Sequence, residues 1–106
     1  MGLTLSIVPG TFAICRLERA ASIPEWAHIG FFSTVRTPDE LSIVCKEEIV
    51  PEGVLCEKGW YCLKVRGPLD FVLTGILASL AVPLAEAGIS IFAISTYDTD
   101  YFLVKE

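Results

Sequence analysis

The chain contains a single histidine, His28, and no Cys-x-x-Cys pair among its four cysteines, so its spacings offer no tetrahedral zinc set. Its eight lysines and arginines are scattered and outnumbered by thirteen acidic residues, for a formal net charge of -5. No basic stripe with interleaved aromatics tracks a phosphate backbone, which excludes nucleic acid as an expected partner. Long apolar runs are missing too. The best candidate, Phe71 to Ala87, is interrupted by Thr74, Ser79, Pro83 and Glu86 and falls short of the ~20 apolar residues that span a bilayer. The N-terminal stretch has no basic flank before its short apolar run, so it does not read as a signal peptide. No nucleophile, base and orienter stand in a readable constellation, and no cofactor motif is present, so the expectation is a cytoplasmic protein that is not an enzyme.

What the chain does have is apolar residues: 53% of 106 positions. That length suits one compact domain or two very small units sharing a core. The surplus apolar surface predicts pairing with a second copy, a homodimer. Cys15, Cys45 and Cys62 lie in strand-like apolar runs, where a free thiol behaves as a small hydrophobe. Trp26 and Trp60 read as core or interface anchors, and His28 as a rim residue.

Strand character is predicted for Leu3 to Val8, then, after a Pro9-Gly10 turn, for Thr11 to Leu17. Ser22 ahead of Ile23-Pro24-Glu25-Trp26 suggests a short capped helical turn. His28 to Val35 and Leu41 to Lys46 follow as strands around a Thr37-Pro38-Asp39-Glu40 turn. Pro51-Glu52-Gly53 breaks the chain, and the boundary between halves is placed there, giving 1–52 and 53–106. Trp60 to Arg66 is the next strand. Gly67-Pro68 then opens a helix over Phe71 to Ala87, apolar on one stripe, kinked or ended by Pro83 and stopped by Gly88. Ile89 to Ser95 and Tyr101 to Lys105 close the chain as strands around the polar turn Thr96-Tyr97-Asp98-Thr99-Asp100.

Phe31 to Glu47 parallels Phe92 to Glu106: strand, polar turn with Thr and Asp, apolar strand, Lys-Glu. Both halves order a strand, a helix or its remnant, and a hairpin. The predicted fold is therefore α+β, two ferredoxin-like β-α-β-β-α-β units in tandem, the first degenerate.

The run GPLDFVLTGILASLAVPLAEAGISIFAISTYDTDYFLVKE, Gly67 to Glu106, closely resembles the ACT-like domains of amino-acid-binding proteins related to the CASTOR-type arginine sensors. LSIVPGTFAICRLE and FSTVRTPDELSIVCKE resemble the same family's N-terminal subdomain. Family members continue beyond the equivalent of Glu106, so the second unit is expected to lack its last helix and strand. The resemblance implies a free amino acid held where two units meet. It also implies that the loop Thr96 to Asp100 lines the pocket, Asp100 matching the acidic residue that faces the ligand and Thr96 and Tyr97 its flanking contacts.

The candidate ligand-binding residues are Gly67, Leu69, Asp70, Ser95, Thr96, Tyr97, Asp98 and Asp100. Gly67 to Asp70 leads a strand into a helix, and unpaired N–H groups at a helix start hold carboxylates; Asp70 capping its own backbone is the plainer alternative. Two carboxylates and two hydroxyls within Thr96 to Asp100 suit an ammonium or guanidinium group, although such residues also favour an ordinary solvated turn. The expected function is an amino-acid-sensing regulatory module working through a subdomain or dimer interface. The alternative is a structural dimerisation module with a vestigial pocket.

Overall fold

A computed structural model describes residues 5–65 and 81–105. Strands dominate: β1 (Leu5–Leu17), β2 (Ser33–Arg36), β3 (Leu41–Lys46), β4 (Cys56–Val65), β5 (Ile91–Ser95) and β6 (Asp100–Lys105). Short 3-10 turns cover Glu25–His28 and Glu47–Ile49, and residues 81–86 are helical. The strands form one antiparallel sheet in the order β2-β3-β1-β4-β6-β5. Helix is thus a minor component of the described residues, which are mostly β; most of the helix that the α+β expectation rests on falls outside them.

The chain divides into two compact units, Gly10–Trp60 and Met1–Pro9 with Tyr61–Glu106. In the first, β3 lies between β1 and β2, with Cys15 opposite Ile43 and Leu17 opposite Leu41 on one side and Arg36 opposite Leu41 on the other. Alternation puts Ala13 and Cys15 on the same face as Leu41, Ile43 and Cys45, and these join Ala27 of the 3-10 turn in a closed core. Trp26 and Leu17 pack on its margin. Burying Leu41 and Ile43 contributes about 1.5–3 kcal/mol each. Arg36 ties the loop after β1 to β2, its guanidinium donating to the carbonyls of Arg19 and Ala21.

In the second unit, β5 and β6 pair from Ile91 opposite Val104 to Ser95 opposite Asp100. Cys62, Val65, Phe102 and Leu103 are buried. The helical residues end in a Schellman arrangement: Ile89 N–H donates to the Leu84 carbonyl and Gly88 N–H to that of Ala85, with Gly88 at φ 75°. A side chain there would strain the backbone, which is why glycine stops the helix as its position predicted. The predicted helix from Phe71 through Leu80 lies outside the described residues.

Three local expectations differ from the structure. Pro9-Gly10 does not reverse the chain; β1 runs straight through it, with Gly10 at φ 93°. Turn-type dipeptides also mark irregular points inside strands, and only the long-range pairing to β3 decides between the two. The predicted strand from His28 shortens to Ser33–Arg36 because Glu25–His28 is taken up by the 3-10 turn. That turn is entered through Pro24 with no side-chain cap, so Ser22 does not serve as one.

Candidate functional site

Ser95 and Asp100 face each other across the last rung of the β5–β6 ladder, and the four residues between them form a tight turn. Thr96 organises it. Its N–H donates to the Thr99 carbonyl at 2.8 Å, its hydroxyl donates to the same carbonyl at 3.0 Å, and the Thr99 N–H donates back to that hydroxyl at 3.1 Å. Thr96 is thereby committed to bracing its own turn. Tyr97, 86% exposed, and Asp98 stand at the tip, and Ser95 is exposed.

Asp100 is different. It begins β6 and is only 8% exposed, the one buried polar or charged residue among the described residues. Gly67, Leu69 and Asp70, the other part of the predicted site, lie outside the described residues. The structure therefore brings Ser95, Thr96, Tyr97, Asp98 and Asp100 onto one hairpin end, with Asp100 inward.

The β2–β3 hairpin is built the same way. Thr37 N–H donates to the Glu40 carbonyl at 2.9 Å, and the Thr37 hydroxyl accepts from the N–H groups of Asp39 and Glu40, both at 3.1 Å. The flanking pair there is Arg36 opposite Leu41. Position for position, Leu41 in the first hairpin corresponds to Asp100 in the second. Leu41 is 1% exposed and part of the core. The two turns share one construction and differ in what they place at the buried corner: an aliphatic side chain or a carboxylate.

Sequence reasoning did not single out the environment of Arg16. There an open cavity of about 280 Å³ is lined by Ile14, Arg16, Glu40, Ser42, Leu55 and Glu57, among others. The Arg16 guanidinium donates to the Asp39 carbonyl at 3.2 Å, so it is partly engaged. The strand register, Arg16 opposite Ser42, is what gathers these residues, and no local sequence signal reports it. Among the described residues, no cluster of His, Cys, Asp and Glu suits a metal ion.

The thiols divide by depth. Cys62 is fully buried, and burial pushes it up to about 11. Cys15 and Cys45 are buried in the same core cluster. Cys15 is pushed up, by the neighbouring Cys45 thiol first and by burial second, while Cys45 goes down through the same neighbour. Cys56, half-buried, is raised mainly by burial.

The chain belongs to the ACT domain family: residues 55–106 match the ACT domain model, and residues 10–53 match a second model described as an N-terminal domain. It is 45% identical to protein Atu0741 from Agrobacterium tumefaciens, whose crystal structure matches it with a TM-score of 0.90 over 97% of this chain and 78% of that one. It is also 37% identical over 97 residues to the human cytosolic arginine sensor for mTORC1 subunit 1, covering 84% of this chain. The chain spans about 30% of that sensor's length. A Vibrio cholerae protein of unknown function, VC0802, shares the fold with a TM-score of 0.79 at 23% identity, over 98% of this chain and 79% of that one. No helix of the described residues is long and apolar enough to cross a membrane.

Proposed function

We propose that this protein is a regulatory module that binds a free amino acid at the β5–β6 hairpin end, with Asp100 receiving the ligand's cationic group. The observation that carries the reading is the buried carboxylate at a corner where the companion hairpin buries leucine. Taking a charge out of water is costly unless something pairs with it. A ligand ammonium or guanidinium supplies that pairing, and binding at Asp100 would then bias an assembly or partner equilibrium. Similarity to a protein named as a cytosolic arginine sensor supports the ligand class and a cytoplasmic setting. The module is not an enzyme in this reading; its action is binding.

The halves 1–52 and 53–106 are taken as two ACT-type ferredoxin-like repeats, supported by the family matches to residues 10–53 and 55–106. Strand order supports this as well. In the unit Met1–Pro9 with Tyr61–Glu106, the sequence β1-β4-β6-β5 puts β1 at the sheet position beside β4 that the last strand of a ferredoxin-like unit occupies. A homodimer is part of the proposal: β2 and β5 are the terminal strands of the described sheet, and Val35 on β2 is 56% exposed. Gly67, Leu69 and Asp70 are assigned the ligand's carboxylate and Ser95, Thr96, Tyr97 and Asp98 its rim.

The test is a thermal-shift screen of the twenty amino acids at millimolar concentration, run on the unaltered chain and on Asp100→Leu. A rise in melting temperature with one or a few amino acids, lost in Asp100→Leu, is the expected result. No shift with any of them, or one that survives the substitution, overturns the reading.

A further inference from the structure

Three of the four cysteines, on three different strands, converge in the unit Gly10–Trp60. Cys15 on β1 and Cys45 on β3 share the buried face, and Cys56 packs against the same cluster. The backbone sets how each pair can react. β1 and the start of β4 run antiparallel and are joined by the Arg16 N–H donating to the Leu55 carbonyl at 2.9 Å. One residue along from that hydrogen-bonded pair, Cys15 stands directly opposite Cys56 at a non-hydrogen-bonded position, where Cα atoms lie about 4.5 Å apart and side chains are closest. That separation falls inside the range of about 4.4–6.8 Å over which disulfides form. Cys45 is opposite Ala13, which makes it a diagonal neighbour of Cys15. Diagonal neighbours are about 7–8 Å apart, beyond the reach of a disulfide without backbone movement.

We infer that Cys15 and Cys56 form a reversible redox pair, closed by a small-molecule disulfide of the glutathione class, with Cys45 excluded from the bond. Cys56 is the entry point, because it is half-buried while Cys15 and Cys45 are buried. Its thiolate attacks one sulfur of the small disulfide, whose S–S bond breaks and releases one small thiol. Cys15, having passed its proton to water, then attacks the Cys56 sulfur and expels the second small thiol. Two protein thiols lose two protons and two electrons, and one small disulfide becomes two thiols. The bond ties β1 to β4 at the wall of the cavity that holds Arg16, since Cys15 and Cys56 both line it.

The groups facing the pair are Cys45 on β3, Glu47 after it and Lys58 on β4. Cys45 and Glu47 oppose thiolate formation at one or other of the two cysteines, whereas Lys58 favours it at both. With burial added, both thiols are raised, so closure is slow near neutrality and accelerates as pH rises. The inference is independent of the amino-acid site, and its test uses no ligand.

The full chain is incubated without oxygen in oxidised glutathione at about pH 8.5, then unfolded for thiol counting, intact mass and peptide mapping. The expected result is loss of two of the four thiols, a mass lower by two hydrogens, and one linked peptide pair joining Cys15 to Cys56. Cys45→Ala closes as readily as the unaltered chain. Cys56→Ser keeps its three remaining thiols, and a dithiol reductant restores all four in the unaltered chain. A glutathione adduct on Cys56 that persists, a link through Cys45 or Cys62, or four intact thiols after a model peptide dithiol has fully closed would each overturn the inference.

Discussion

Asp100 stands where Leu41 stands: each is the first residue after a four-residue, threonine-braced turn, and each is buried. The same backbone device therefore delivers a hydrocarbon to the core of one unit and a carboxylate to the other. Reciprocal substitutions should have opposite signs. Asp100→Leu gives this corner the hydrocarbon that the companion hairpin uses and should stabilise the protein by on the order of 1 kcal/mol. Leu41→Asp inserts an unpaired carboxylate beside Ile43 and Cys45 and costs about 3 kcal/mol or more. Urea denaturation of the two variants checks this, and equal losses in both would contradict the assignment of Asp100 to a binding role.

The two threonine braces differ in weight. Thr37 is part-buried and its hydroxyl accepts from two backbone N–H groups, while Thr96 is exposed and accepts from one. Thr37→Ala should cost about 1–2 kcal/mol and Thr96→Ala about half as much, with serine restoring most of each loss. Shifts of denaturation midpoint at constant m-value are the measurement.

Cys62 makes stability depend on alkaline pH. Its thiol is raised from the ordinary 9.0 to about 11 by burial, so between those values the folded chain holds a proton that the unfolded chain has lost. The stabilisation is whole below about pH 9 and is lost as pH climbs through about 11, a total on the order of 2–3 kcal/mol. Cys62→Ala, destabilised overall by its smaller side chain, should show a flatter decline over that window. Parallel slopes for the two proteins would rule the thiol out as the cause.

Glu47 anchors the start of β4 from a distance: its Oε1 accepts from the Gly59 N–H at 3.0 Å. Glu47→Ala removes this acceptor and should cost about 1–2 kcal/mol. Hydrogen exchange at the Gly59 amide should accelerate more than at the β2–β3 turn, whose amides are held locally.

Much of this arrangement is written in short-range signals. β3 begins and ends where its apolar run does, the two Thr-Asp turns fall where their residue types placed them, and Gly88 stops the helix. Signals that depend on distant partners are harder to read. Pro9-Gly10 looks like a reversal until the β1–β3 register is known, and Cys56 gives no hint of Cys15 until two strands separated by some forty residues lie side by side. Asp100 enters as a candidate ligand contact through family resemblance. Its burial, which gives that role its physical force, belongs to the folded hairpin.

The division of the chain also bears on how it would assemble during synthesis. Everything needed for Gly10–Trp60 has been synthesised once Trp60 emerges, so that unit can close while the rest is still being translated. The segment Met1–Pro9 groups instead with Tyr61–Glu106 and must wait for residues synthesised after Trp60. Between those moments Leu5, Ile7 and Val8 lack the later strands of their own unit, and this apolar stretch is open to other nascent chains or to a chaperone.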